Sequence, residues 1–177
     1  MILEEHKEHL TKVFDELRCN KLYVNEKKSE FYLQEISYLG HIISKEGIKM
    51  DPEKLTVIKD WPQPKNLHEL RSFIGMCAYC RRFIEKFSVI AGPLHNLTKK
   101  KVKFEWTPKE ENAFQTLKFK LMTQPLLKLP DLSKAFEVHC DACGDSLGAV
   151  LLQEGHPIAY ESRRINDQER ILGIYEK

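Results

Sequence analysis

The chain has 177 residues, 42% of them hydrophobic and 31% charged, with a formal net charge of +2. That length suits one ordinary domain or two partial ones, and that composition excludes a disordered chain. So small a net charge gives no whole-protein electrostatic case for nucleic acid, and no apolar run approaches the roughly 20 residues of a membrane span.

The N-terminus carries Glu4, Glu5 and Glu8, which is neither a secretory signal nor an Arg-rich transit peptide, so the five cysteines are expected as reduced thiols. Residues Leu3 to Leu17 place Leu10, Val13, Phe14 and Leu17 at helical spacing. The pattern then changes. Lys21 to Asn25 reads as a short strand, and Ser29 to Leu33 and Ile36 to Ser44 are rich in β-branched and aromatic residues. Lys45-Glu46-Gly47 offers a turn and Ile48-Lys49-Met50 a return strand. Residues 18–50 are thus expected to form a small β unit after a helix.

Asp51-Pro52 opens a helical section: Asp caps, and Pro is tolerated at the first helical position because its missing N–H has no partner there anyway. That helix must stop before Trp61-Pro62-Gln63-Pro64. Asn66 with Glu69 three residues on marks the next start, and Leu70, Phe73, Ile74, Cys77, Ile84 and Phe87 form an apolar stripe. A further helix is expected over Val89 to Leu97. Lys99-Lys100-Lys101 with Lys103 is a basic linker. Thr107-Pro108-Lys109-Glu110 is a strong start signal for a helix through Ala113, Phe114, Leu117, Leu121 and Met122, ending before Pro125. After Pro130 the period becomes two. Phe136, Val138 and Cys140 alternate with polar residues; Ser146 to Gln153 and Pro157 to Ser162 follow as strands, with Glu154-Gly155-His156 as a tight turn. A helix is expected after Asp167. Its interruption at Lys177 is an odd end for a domain and reads as truncation.

Several long strings along the chain are similar to the Pol polyprotein of gypsy-type LTR retrotransposons. "YLGHIISKEGIKMDPEKL" at 38–55 resembles the end of the reverse transcriptase palm, and "WPQPKNLHELRSFIGMCAYCRRFIEKFSVIAGPL" at 61–94 the thumb. "FEWTPKEENAFQTLK" at 104–118 resembles the segment joining thumb to RNase H, and "VHCDACGDSLGAVLLQEGHPIAYESRRIN" at 138–166 the first three RNase H strands. The resemblance implies an α+β chain in four parts: a palm remnant at 1–50, a helical thumb at 51–103, a connecting helix and linker at 104–130, and a truncated RNase H-like domain at 131–177. It implies RNA-directed DNA synthesis and hydrolysis of RNA–DNA hybrids in the complete protein, with the remainder of the Pol polyprotein as partner. The sequence does not name a compartment; with no secretory signal or membrane span in it, an intracellular one (cytoplasm or nucleus) and no membrane partner are expected.

Both chemistries use two metal ions held by several carboxylates. The family's polymerase site uses an adjacent aspartate pair, and no two aspartates are adjacent in this sequence. By the resemblance that pair belongs just before Met1, and the second RNase H carboxylate just after Lys177, with Glu176 about 100° away around the helix axis. The family's first RNase H carboxylate falls on Asp141, a ligand for Mg only in a complete domain; from local sequence alone Asp141 reads as a turn residue before Gly144. The chain is therefore expected to be inactive alone.

Nucleic-acid contacts are better represented. Arg71, Gly75 and Tyr79 lie at i, i+4 and i+8 on one helix face. From spacing alone, close helix packing at Gly75 with Tyr79 half-buried is favoured; the resemblance implies instead a thumb face set against the groove of an RNA–DNA hybrid or other duplex. Leu39-Gly40-His41 resembles the loop that grips the primer terminus, or on its own an ordinary hairpin bend. Cys77-x-x-Cys80 and Cys140-x-x-Cys143 mimic zinc spacing, but the interval between the pairs is far longer than the roughly 15–20 residues of zinc ribbons. Cys80 stands where the family has an aromatic, which is expected to weaken thumb packing. Two other readings remain: a non-catalytic duplex-binding module, and a translated pseudogene product.

Overall fold

The computed structural model describes residues 3–143, 146–166 and 169, with Cys143 described through its backbone alone. The helix expected after Asp167, Glu176 and the Gly144 turn lie outside the described residues. The fold is α+β, with helices and two three-stranded antiparallel sheets. The chain divides into two compact units, Met1–Ile36 and Ser37–Lys177.

The first unit is built on α1 (Leu3–Cys19), which buries no residue fully. Its strand expectations fail: residues 21–25 and 29–33 form no strand, and a single 3-10 turn covers Glu26–Lys28. A strand needs a paired neighbour, and the aromatics here pack instead as side chains on the helix, Tyr32 against His6 with ring centroids 4.9 Å apart and Phe31 against Phe14 at 5.9 Å.

In the first sheet, β1 (Glu35–Tyr38), β2 (His41–Ser44) and β3 (Gly47–Met50) lie in that order, with Ser44 facing Gly47 and His41 facing Met50. The helices follow from their caps. In α2 (Pro52–Lys59), Asp51 accepts from the Glu53 amide at 2.9 Å. In α3 (Leu67–Tyr79), Asn66 accepts from the Glu69 amide at 2.9 Å while Glu69 reaches back to the Lys65 amide at 2.8 Å. In α6 (Pro108–Met122), Thr107 and Glu110 form a complete capping box.

The apolar stripe begun in α3 does not stay on one helix. After Tyr79 the chain makes a 3-10 turn, Arg81–Phe83, and two short helices, α4 (Phe87–Ile90) and α5 (Gly92–Leu97). Bending there drives Cys80, Phe83, Ile84 and Phe87 into the core already holding Leu70, Phe73, Ile74 and Cys77. Phe114, Leu117 and Leu121 of α6 close that core, with the Phe73 and Phe114 rings 4.5 Å apart.

The second sheet runs β4 (Glu137–Cys143), β5 (Ser146–Gln153), β6 (His156–Arg164), with Asp141 facing Gly148. Val138 on it stays 60% open to solvent, and Phe136 just before β4 40%. Polar pairs tie it to the short helices: the Ser88 amide donates to the Ser162 hydroxyl at 2.9 Å, and Arg164 donates to the Asn96 side chain at 2.9 Å.

Candidate nucleic-acid interface

The turn joining β1 to β2 places two positive φ angles in succession, 47° at Leu39 and 70° at Gly40, as a type I′ hairpin requires. Gly40 accepts this freely; Leu39 does so against the usual preference of a branched side chain, and such positions persist where neighbours over-determine them. Two groups hold the Leu39 carbonyl. The Tyr79 hydroxyl, from the end of α3, donates to it, and His41 Nδ1 lies 3.0 Å from it. A carbonyl only accepts, so the Nδ1 hydrogen points there and Nε2, buried with no hydrogen-bond partner among the described residues, is the bare nitrogen. Burial, with Arg82 nearby, holds the His41 pKa below the ordinary imidazole value despite its bond to Leu39. The ring stacks on Phe83 at 5.5 Å.

Together these residues frame a groove of about 510 Å³, lined by Leu39, Gly40, Met50, Lys54, Gly75, Met76, Tyr79 and Cys80. Leu39, Gly40, Gly75 and Tyr79, all expected from the sequence at a nucleic-acid face, thus meet at one place. Arg71 is exposed on α3 but does not line the groove. Close helix packing at Gly75 is overturned: a Cβ built there meets no heavy atom within 4 Å. Tyr79 is 48% exposed. Lys54 and Met50 carry no signal for this groove in the sequence, because they reach it from α2 and β3, while Met76 lies beside Gly75 on α3 itself. Cys80 is fully buried in the core, and burial pushes its thiol up to about 12. Burial likewise raises Cys77, so neither thiol has thiolate character at neutral pH.

Asp141 lies within β4 rather than in a turn, and its carboxylate faces the Lys86 ammonium at 3.2 Å. Among the described residues no three His, Cys, Asp or Glu side chains converge as a metal site. The described residues therefore do not fit a two-metal centre; the Cys143 side chain of the second Cys pair lies outside them. Nor is any described helix long and apolar enough to cross a membrane.

Comparison with known proteins follows the same lines. The family described as the RNase H-like domain found in reverse transcriptase matches residues 106–177. The Retrovirus-related Pol polyprotein from transposon 297 of Drosophila melanogaster is 40% identical over 99% of this chain, and that from transposon gypsy of the same fly is 36% identical over 98%. The chain spans 17% and 18% of the lengths of these two relatives. Among solved structures, the foamy viral protease-reverse transcriptase dRH in complex with double-stranded DNA is similar at a TM-score of 0.81 and 27% identity, over 99% of this chain and 32% of that one. The foamy viral protease-reverse transcriptase in complex with an RNA/DNA hybrid gives 0.78 at 27% identity, over 96% of this chain and 24% of that one.

Proposed function

We propose that this chain, a member of the reverse transcriptase and RNase H family carried by retrotransposon Pol polyproteins, holds an RNA–DNA hybrid or duplex against the face of α3 and the Leu39–Gly40 turn. The carrying observation is the open backbone at Gly75 beside Tyr79 and the Leu39 turn. A helix-interior glycine costs about 1 kcal/mol against alanine, and here no protein neighbour needs the space. A duplex backbone or groove edge approaching that helix would need it. Tyr79 offers a ring for sugar or base, and Arg71 and Lys54 offer charge for phosphates. The relatives' names and the nucleic acid in the similar structures support this reading.

Asp141 is proposed as one carboxylate of the RNase H site. The family's hydrolysis uses divalent metal; the described residues do not complete such a site, so no catalytic step is assigned to them. The ion pair with Lys86 favours a second reading for this chain by itself, duplex binding without cleavage. One titration tests the first proposal: a labelled RNA–DNA hybrid followed by fluorescence anisotropy across a salt series. Arg71→Gln should lower the slope of log K against log salt by about 0.9, one phosphate contact. An unchanged slope, or no binding by the unsubstituted chain, overturns it. Mg-dependent cleavage of the hybrid by the chain would refute the reading of binding without cleavage.

A further inference from the structure

The segment between α6 and β4 carries no strand of its own, yet it is fastened to both sheets. At one end Leu127 pairs with β3: the Ile48 amide donates to the Leu127 carbonyl at 2.7 Å, and the Leu127 amide donates back to Ile48 at 3.0 Å. The next residue turns to the other sheet, where the Lys128 amide donates to the Pro157 carbonyl of β6 at 2.9 Å. Three residues on, the side chain of Gln153 closes a ring with Asp131. Its Oε1 accepts from the Asp131 amide and its Nε2 donates to the Asp131 carbonyl, each at 2.8 Å. Gln153 is only 4% exposed and Leu127 fully buried, so these bonds are shielded from competing water.

Gly47 makes the first fastening possible. Its φ is 145°, and a Cβ built there would overlap the Leu127 carbonyl oxygen. Any other residue would force the strap off β3. A surface linker normally tolerates change and connects without bonding; this one is bonded at consecutive residues to two different sheets, and its apolar anchor is part of the core.

We infer that the segment Leu127 to Asp131 is a positioning strap that fixes the distance between the Leu39–Gly40 turn and the β4 strand carrying Asp141, so that both meet one duplex in a set register. The inference rests on the duplex-holding reading above. Gly47, Leu127 and Gln153 are positioning residues: they act through the backbone of the two sheets and touch no nucleic acid.

The test reads register directly. An iron chelate tethered to the exposed Cys140, with Cys19→Ser and Cys143→Ser removing competing thiols, cuts a bound RNA–DNA hybrid by hydroxyl radicals near Asp141. With the strap intact, cuts should cluster at one distance from the recessed primer terminus. Lys128→Pro removes the amide that bonds Pro157, on an exposed residue, and also fixes φ there; it should spread the cluster over several positions while hybrid affinity holds, and Lys128→Ala, which keeps that amide, should not. Gly47→Ala should spread it further, and if that variant does not fold, Lys128→Pro decides alone. Binding with an unmoved cluster in Lys128→Pro, or a spread already present before substitution, overturns the strap and leaves the duplex-holding reading standing. No hybrid binding by the unsubstituted chain overturns both.

Discussion

Gly75→Ala separates stability from binding at a single methyl group. The added Cβ meets nothing within 4 Å, and residue 75 is an exposed interior position of α3. With no clash to offset it, the gain in helix propensity should appear nearly whole, about 0.5–1 kcal/mol. For a protein of this size that is a rise in Tm of about 2–4 °C. If the bare backbone is where a duplex approaches, the same methyl must push it away. Overpacking a close contact costs about 1–3 kcal/mol, so hybrid affinity should fall roughly fivefold or more. Thermal melting and anisotropy titration on one preparation give both numbers. A more stable variant that binds as well as the original refutes the assignment of Gly75 to the interface; a less stable one refutes the open-space geometry.

Tyr79→Phe removes the hydroxyl that donates to Leu39 but keeps the ring, and His41 still reaches that carbonyl; urea unfolding should show a loss of only about 0.5–1 kcal/mol with hybrid affinity retained. Tyr79→Ala should lose about 1–3 kcal/mol of binding, and equal losses in the two variants would show that the ring contributes nothing. Burial lowers the pKa of His41 and of His95 from 6.5. The unfolded chain then binds more protons, so stability is fully present above about pH 6.5 and is lost as pH falls through the two folded values. Urea midpoints across that range should show this, and His41→Gln with His95→Gln should flatten the slope. Leu117→Ala, at a fully buried position of α6, should cost about 2–5 kcal/mol by the same assay.

The helices of the second unit were legible because their signals are local. Asp51, Asn66 and Thr107 each cap the helix they announce, and prolines bound the segments between them. The strands expected at 21–25 and 29–33 were not to be had from sequence, because Tyr23, Phe31 and Tyr32 have strand composition whatever they pack against, while a strand exists only through its partner. The break after Tyr79 was hidden for the opposite reason: the 3.6 period continues across Cys80, and no glycine or proline marks the bend. At the candidate interface, Gly75 and Tyr79 were legible as neighbours on one helix. Lys54 and Met50 were not, since they come from other elements. Spacing alone favoured close packing at Gly75, and only the solvent side of α3 could correct that. The pairing of Asp141 with Lys86, 55 positions apart in the sequence, has no local signature at all.

The two tryptophans of the chain belong to one aromatic row. Trp61 meets Phe73 at 5.8 Å, Phe73 meets Phe114 at 4.5 Å, and Trp106 meets Phe114 at 5.8 Å. Both indoles therefore report on the packing of α3 against α6, within the second unit, whereas in the first unit the 17-residue helix α1 buries no residue fully. Intrinsic fluorescence and helical circular dichroism consequently watch different parts of the molecule. If Met1–Ile36 loosens before the core does, the ellipticity will drift while the emission spectrum stands still, and a single melting curve from either probe would misstate how cooperatively the protein unfolds.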